Sequence, residues 1–454
     1  MSEHASPTPD ATADGLTRRR FFTGLGVAAT ATVVGGYGLT VWDRNGSSVA
    51  RPRGALRSGA LGPGAPGHTL VVLELGGGND GLNTVVPHAD GTYRSLRPQL
   101  AVTDPLDLDG HVGLNPRLTR LADRYRAGHV AIVEGVGYPD PDLSHFASLA
   151  TWWSADTGGS GTAGWLGRYL DGTVGFDDPL AGVSIGPTPS PAMLGEQSFA
   201  TSIADATGLQ PRLPQWVDRP DDLLGAWAGF APASADPAAL MGRVEEAIRL
   251  TGNARRDLGG ALSDARTAAR PEPATPGSRA TGATGAGGRQ GGRSRGAITD
   301  SLALAAALVL SKSPPRVIYV SGLGDFDTHQ GEAQRHPLLM SQLDAGIDQL
   351  FTTLDAAKAS DRVVLMTVSE FGRRPTENGS GTDHGTAAPH FVIGTAVKGG
   401  RYGQPPDLRK LDAHGNLVHT VDFRSLYATA LHGWLGVDPT AVLGTSHEAL
   451  ALFA

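Results

Sequence analysis

The sequence of 454 residues contains no cysteine. This absence excludes disulfide bonds, thiolate nucleophiles, zinc ribbons and iron–sulfur clusters. Any metal site must therefore use imidazole, carboxylate and hydroxyl ligands, and the chain offers 14 histidines and 45 acidic residues for that purpose. A lack of disulfides does not exclude export, because a protein that folds before it crosses a membrane needs none for the passage.

A basic charge excess is missing as well. The 38 lysines and arginines are outnumbered by 45 acidic residues, which gives a net charge of -7. This balance excludes nucleic acid as the main partner and is typical of a soluble globular protein. What the chain has in excess is glycine (63) and proline (31), which predicts many loops.

Residues 1–60 predict a twin-arginine export signal followed by a linker. Arg18 and Arg19 precede an aromatic pair and a weakly hydrophobic stretch without charge, from Thr23 to Trp42. The twin-arginine translocase is then a partner during export, and the expected location is extracellular, periplasmic or in the cell envelope. No clear cleavage site follows, so an uncleaved signal that anchors the protein is the alternative.

Residues 61–454 predict one α/β domain in which a mostly parallel sheet is flanked by helices. Short apolar runs alternate along the chain with segments of helical periodicity, which is the pattern of such a sheet. The predicted strands span residues 69–75, 129–134, 316–320, 362–368 and 390–394, and the predicted helices span 117–126, 338–357 and 423–435.

A low-complexity segment at residues 266–297 interrupts this domain. It contains six arginines, one glutamate and almost no large apolar side chain. Such a composition cannot form a core, so we predict a disordered, basic insertion on the surface.

Polar side chains adjoin five of the predicted strands. Because the carboxyl ends of parallel strands open onto one crevice, residues far apart in sequence can share a site there. The groups concerned are Asn79–Asp80, Ser144–His145, Asp325–His329, Ser369–Glu370 and Asp383–His384.

Asp325 and His329 stand four residues apart and predict two ligands of one metal ion. His384 is a plausible third ligand, which would complete the carboxylate and two imidazoles typical of catalytic zinc. Asp80 follows three glycines, where an acidic side chain would repel a phosphate unless a cation intervened, so Asp80 is a further candidate ligand. The alternative for these aspartates is an ordinary helix cap or turn.

Ser144 stands at the start of a predicted helix, where the helix N-terminus would stabilise an alkoxide and a metal could activate it as a nucleophile. The alternative is a simple N-cap. Its neighbour His145 is a candidate ligand, base or substrate contact, and Asn83 is a candidate substrate contact. Arg373 is suited to bidentate contact with the oxygens of an anion.

Together these motifs resemble the DUF1501 family of secreted proteins, which in turn resembles the alkaline phosphatase and sulfatase superfamily. The resemblance runs from about Thr69 to the C-terminus. The motifs that carry it are Leu75–Pro87, Gly137–Pro139 with Ser144–Phe146, Gly164–Arg168, Asp325–His329, Ser369–Arg373 and Thr382–Gly385.

The resemblance implies one or two divalent metal ions, with zinc favoured, at the carboxyl ends of the sheet. Asp80, Asp325, His329 and His384 resemble the superfamily's metal ligands, and Ser144 resembles its nucleophile. The superfamily usually has an Asp-His pair where this chain has Ser369 and Glu370. Glu370 is then a candidate ligand, but a second metal site lacks an imidazole unless His145 or another residue supplies it.

The resemblance therefore implies an exported, metal-dependent hydrolase of small-molecule or polymeric phosphate or sulfate esters. In that reaction Ser144 would attack the ester, and Arg373 would share the charge of the transition state with the metal. The alternative is a catalytically silent relative that binds or assembles in the cell envelope.

Overall fold

The computed structural model of the protein describes residues 59–62, 64–158, 163–174, 178, 180–186, 188–196, 198, 200–204, 297–322 and 325–453. These residues belong to one compact unit. The predicted export signal and the predicted low-complexity insertion lie outside them, apart from residues 59, 60 and 297, and both stay predictions.

Fourteen strands occur in the described residues. They are β1 (Thr69–Glu74), β2 (Val85–Val86), β3 (Leu106–Asp107), β4 (Gly113–Leu114), β5 (Val130–Gly137), β6 (Gly182–Ile185), β7 (Thr201–Ile203), β8 (Val317–Val320), β9 (Val363–Val368), β10 (Arg373–Glu377), β11 (Thr382–His384), β12 (Ala388–Ile393), β13 (Gly400–Tyr402) and β14 (Val421–Asp422). Nine of them form the central sheet, in the order β13-β5-β12-β9-β1-β8-β6-β7 with β14 beside β5.

Nine α-helices accompany these strands in the same part of the chain. They are α1 (Gly81–Thr84), α2 (Gly91–Leu96), α3 (Thr119–Arg126), α4 (His145–Ser154), α5 (Trp165–Thr173), α6 (Ala297–Val309), α7 (Glu332–Ala356), α8 (Phe423–Thr429) and α9 (Pro439–Leu443). Short 3-10 turns lie at Pro191–Met193 and Ser360–Arg362, and α8 continues as a π-helical segment, Ala430–Trp434. Across the described residues, no helix combines the length and apolar character needed to cross a membrane.

The central sheet is covered on both faces. All six side chains of β1 are buried, and its four apolar side chains alternate between two hydrophobic clusters. Val71 and Leu73 pack in a cluster with side chains of α3, α6 and α7, whereas Leu70 and Val72 pack in another with side chains of α4, α5, α8 and α9. This two-sided burial explains why the strands read as continuous apolar runs, and it confirms the predicted α/β fold with helices flanking the sheet.

One strand departs from the parallel arrangement. Neighbouring pairs such as β1–β8 and β1–β9 are parallel, but β12 runs antiparallel to both β5 and β9. Its beginning, at Ala388, therefore lies at the edge where the parallel strands end. His384, four residues before Ala388, thus reaches the same crevice as the residues that follow β1, β5, β8 and β9.

The predicted boundaries hold for most elements, and one helix differs. The helix predicted from residue 338 begins at Glu332, with Pro337 inside it. A proline interrupts the helical pattern in sequence, yet here the backbone continues through it. As a consequence Glu332 and His336 belong to a helix and face the interior.

Gly78 is a position after β1 where the fold requires glycine. Its φ is +77°, and a Cβ atom there would lie 2.5 Å from the ring of Phe371. We expect Gly78→Ala to lower the free energy of unfolding by about 2 kcal/mol or more, because both the backbone and the ring must shift. Gly91→Ala is the matched control, since a Cβ atom there meets nothing within 4 Å.

Urea denaturation of both variants measures this difference. Equal stabilities of the Gly78 and Gly91 variants would contradict the assignment.

Candidate metal centre

Three side chains converge at the carboxyl edge of the sheet. His145 begins α4, Asp327 lies in the loop after β8, and His384 ends β11. One potential ligand atom from each lies within 4.8 Å of the others. His384 Nε2 is 3.2 Å from Asp327 Oδ1, and His145 Nε2 is 3.6 Å from Asp327 Oδ2.

The second ring nitrogen of each of these histidines is held by an acceptor. His384 Nδ1 donates to the carbonyl oxygen of Leu143 at 2.8 Å, and His145 Nδ1 donates to Glu370 Oε1, also at 2.8 Å. Because Nδ1 carries the proton in each neutral ring, Nε2 carries a lone pair. This arrangement, in which an acceptor fixes the tautomer and orients the ring, is the one that metal-binding histidines usually have.

His329 adds a third imidazole to the group. Its Nδ1 lies 3.2 Å from Asp383 Oδ1, an oxygen that also accepts a hydrogen bond from Asn378. Its Nε2 lies 2.9 Å from His384 Nε2 and 3.1 Å from Asp327 Oδ1. Two Nε2 lone pairs at this distance repel each other unless a proton or a cation lies between them.

Asp327 is held in its charged form by Arg373. Burial opposes the charge, but the hydrogen bond from Arg373 Nη2, at 2.6 Å, lowers the pKa of Asp327 to about 2. Arg373 itself is buried; its Nε and Nη1 atoms donate to the carbonyl oxygens of Gly78 and Thr382, and Nη2 also contacts those of Gly77 and Phe326. The guanidinium group thus fixes the position of the Asp327 carboxylate.

These distances fit a metal ion. Zinc–nitrogen bonds of about 2.0–2.1 Å in a tetrahedral site place the ligand atoms about 3.3 Å apart. The separations of Asp327 oxygens from Nε2 of His384 and of His145, 3.2 and 3.6 Å, are close to that value. The side chains of His145, Asp327 and His384 stay 19% to 35% exposed, so a small molecule can reach them.

Among the aspartates of the Asp325–His329 segment, the structure brings Asp327 to this point and not Asp325. The carboxylate of Asp325 is exposed and pairs with Arg335 at 2.5 Å. The sequence did not single out Asp327 as a ligand, and the available signal was its place within the Asp325–His329 segment.

Asp80 and Asn83 lie in a buried polar network beside the metal centre. Asp80 caps α1, accepts from the amide of Leu82 at 3.1 Å and forms an ion pair with the buried Arg97. Asn83 accepts from the hydroxyl of Tyr93 at 2.7 Å and donates to the carbonyl of Leu100 at 3.0 Å. Their predicted roles as metal ligand and substrate contact stay predictions, and in this structure their polar atoms have protein partners.

The same network contains two groups that sequence reasoning missed, Glu332 and His336. Burial raises the pKa of the Glu332 carboxyl, and the charge of Asp80 raises it further. Burial opposes the charge on Asp80, but Arg97 holds the pKa of that carboxyl well below its usual range. Burial also lowers the pKa of His336 to about 4. The network is therefore built around the charged pair of Asp80 and Arg97, with Glu332 and His336 neutral.

Glu370 and Ser144 adjoin the metal centre in different ways. Glu370 is buried, and its Oε1 accepts from the amide of Gly77 as well as from His145. It therefore orients His145, and its predicted role as a direct ligand stays a prediction. Ser144 is exposed at the N-cap of α4, and its hydroxyl makes no capping hydrogen bond.

Comparison with known proteins identifies a family and a distant fold likeness. A family model described as "Protein of unknown function (DUF1501)" matches residues 130–449, well over half of the chain. This match confirms the family predicted from the motifs. No curated protein matches the chain.

Two solved structures illustrate the fold likeness. The alkaline phosphatase from the Antarctic bacterium TAB5 is 12% identical, with 73% of this chain and 92% of that chain covered at a TM-score of 0.28. Ps i-CgsB in complex with k-i-k-neocarrahexaose is 11% identical, with 84% and 72% covered at a TM-score of 0.30. At such identities and scores, neither likeness informs the chemistry of this site.

The geometry predicts which aspartate binds metal. Asp327→Asn should lower the affinity for zinc by about tenfold or more, because one anionic ligand is lost. Asp325→Asn, the matched control, should bind zinc as the unsubstituted protein does, since Asp325 pairs with Arg335 away from the imidazoles. Competition with a chromophoric chelator measures both affinities. A loss of zinc in the Asp325 variant alone would contradict the placement.

The raised pKa of Glu332 predicts a pH dependence of stability. The unfolded chain releases the Glu332 proton above about pH 4.5, whereas the folded protein retains it. The free energy of unfolding should therefore fall as pH rises, by up to about 1.4 kcal/mol per pH unit from this group. Glu332→Gln, which mimics the protonated carboxyl, should remove that contribution.

Urea denaturation between pH 5.5 and 7.5 compares this variant with the unsubstituted protein. The control is Glu448→Gln, at an exposed position near the C-terminus, which should keep the original pH dependence. Parallel profiles for the unsubstituted protein and Glu332→Gln would show that Glu332 is charged in the fold.

Proposed function

The chain belongs to the DUF1501 family, and on that premise we propose that it is an exported, metal-dependent hydrolase of phosphate or sulfate esters. The observation that carries the proposal is the convergence of His145, His384 and the ionised carboxylate of Asp327, whose ligand atoms lie within 4.8 Å of one another. The proposed substrate is a small-molecule or polymeric ester.

Zinc is the metal we propose. His145, Asp327 and His384 would hold it, and His329 is within reach of the same point. A set of imidazoles with one carboxylate at tetrahedral distances is typical of catalytic zinc. Once bound, a zinc ion would act as a Lewis acid that lowers the pKa of a coordinated hydroxyl group and offsets charge on the ester oxygens.

Ser144 is the proposed nucleophile. It directly precedes His145, it is exposed, and its hydroxyl does not cap the helix. Its Oγ would attack phosphorus or sulfur, its proton would pass to solvent or to the departing alcohol, and the bond to that alcohol would break. Water would then hydrolyse the serine ester and restore the hydroxyl group.

The start of α4 supports this choice of substrate. The first N–H groups of a helix have no acceptor within the helix, and they attract anions. Because Ser144 makes no capping hydrogen bond, these N–H groups would face the oxygens of a tetrahedral anion placed beside His145. Arg373, which is buried under Asp327, serves in this proposal to position the carboxylate.

Export is part of the same proposal. Its support is the sequence around Arg18 and Arg19, which resembles the signal that is read by a translocase of folded proteins. A protein that takes up its metal before export would suit that route.

A catalytically silent binding or assembly protein of the cell envelope is the second candidate. The placement of Glu370 favours it, because this carboxylate is buried and accepts a hydrogen bond from His145, so it is not available as a ligand of a second metal ion. Within the described residues, one group of histidine and acidic side chains meets the distance requirement for a metal ion. A single structural ion would be enough for such a protein.

Hydrolysis assays separate the two candidates. The zinc-loaded protein should hydrolyse at least one member of a panel of aryl phosphate and aryl sulfate esters. Asp327→Asn should reduce kcat/KM by about 100-fold or more, because the metal and its charge stabilisation are lost. Asp325→Asn is the matched control and should keep the activity.

Ser144→Ala then identifies the nucleophile. Loss of activity with zinc still bound would support attack by Ser144, whereas full activity would show that water attacks directly. If the zinc-loaded protein hydrolysed no ester faster than Asp327→Asn does, the hydrolase proposal would be wrong and the silent candidate favoured.

A further inference from the structure

A cavity of about 430 Å³ lies beside the start of β12. It is bounded by α1, the start of α2, the end of β5, the start of β12 and the loop after β13. None of His145, His329 and His384 lines it. Most of its wall is apolar, from side chains that include Leu82, Val85, Pro87, Pro389, Pro406 and Leu408. Its size and lining are those of a small-molecule site.

A bulge in β5 shapes one wall of the cavity. The pairing of β5 with β12 shifts register between Ala388 and His390, and Gly135 has a φ of +66°. A Cβ atom on Gly135 would collide with Thr420. The bulge leaves Glu134 on the cavity wall, and bulges of this kind commonly redirect a side chain beside a functional site.

The arginines that line the cavity are already paired. Arg409 holds both oxygens of Asp90, at 2.7 and 3.1 Å. Arg401 donates to Glu134 Oε1 at 2.5 Å and also pairs with Asp109. Arg373, the third, donates to carbonyl oxygens and to Asp327 of the metal centre. An anionic ligand would therefore have to displace a carboxylate to reach a guanidinium.

The charge around Arg401 and Arg409 favours a cation. Three carboxylates, those of Asp90, Asp109 and Glu134, face these two guanidinium groups. The side chain of Glu134 is only 8% exposed, and its second oxygen, Oε2, accepts no hydrogen bond from any residue that the structure describes. This oxygen is therefore free to accept a hydrogen bond from an N–H group of a ligand in the cavity.

We propose that this cavity binds a primary amine with an apolar body, such as an arylalkylammonium ion. The ammonium group donates to Glu134 Oε2, and the body packs against the prolines and leucines of the wall. The site is separate from the metal centre, so this proposal does not depend on the proposed hydrolase activity.

Benzylamine is the probe that tests the proposal, with benzyl alcohol as its neutral counterpart of similar shape. Isothermal titration calorimetry should show saturable binding of benzylamine, and Glu134→Gln should raise its dissociation constant by about tenfold or more, because a charged buried hydrogen bond is lost. The dissociation constant of benzyl alcohol should change much less. Asp107→Asn, at an exposed carboxylate that pairs with His88, is the matched control and should have no effect.

Two further variants locate the bound amine. Gly91 lines the cavity, and a Cβ atom there meets nothing within 4 Å, so Gly91→Leu would place a larger apolar side chain at the cavity wall and should weaken binding of benzylamine. Asp327→Asn should leave binding unchanged, which excludes coordination of the amine at the metal centre. The proposal is overturned if the unsubstituted protein shows no saturable binding, if Gly91→Leu or Glu134→Gln binds benzylamine normally, or if Asp327→Asn abolishes binding.

Discussion

The metal centre depends on one constraint, the anchoring of imidazole protons away from the centre. Leu143, Glu370 and Asp383 each accept from an Nδ1 atom, so the Nε2 lone pairs of three histidines all turn toward Asp327. Two of these lone pairs lie 2.9 Å apart, on His329 and His384. These lone pairs repel each other when nothing lies between them, and a cation that they share turns the repulsion into attraction. The polar groups around it, from Arg373 under Asp327 to Glu370 under His145, keep the ligand atoms in place.

The topology of the sheet brings these residues together. His145, Asp327 and Glu370 follow parallel strands, so they share the carboxyl edge. His384 ends β11, four residues before β12, and it reaches that edge because β12 runs antiparallel to β5 and β9. The reversal of β12 therefore places the imidazole that completes the group. The beginning of β12 also borders the apolar cavity, where a bulge in β5 displaces the pairing.

Much of the fold could be predicted from sequence, because strands buried on both faces appear as apolar runs, as in β1 and β9. For the candidate site, the sequence indicated the segments that contribute ligands but not, in every segment, which residue does so. Asp325 and Asp327 flank Phe326 in sequence, and what separates them is the arginine that each meets in the fold, Arg335 for Asp325 and Arg373 for Asp327. The partners of Asp80 were hidden for a different reason. Arg97 belongs to none of the sequence motifs, so nothing indicated that it pairs with Asp80. Pro337 interrupted the helical pattern in sequence and so hid the helix that carries Glu332.

The central claim is that Asp327, His145 and His384 bind one metal ion. Anomalous diffraction at the zinc edge, from crystals of the protein grown with zinc, tests it most directly. The account predicts a single strong peak about 2.0–2.2 Å from Nε2 of both histidines and from a carboxylate oxygen of Asp327. A zinc peak at Asp325 or Asp80 instead, or no peak between the two imidazoles, would contradict it.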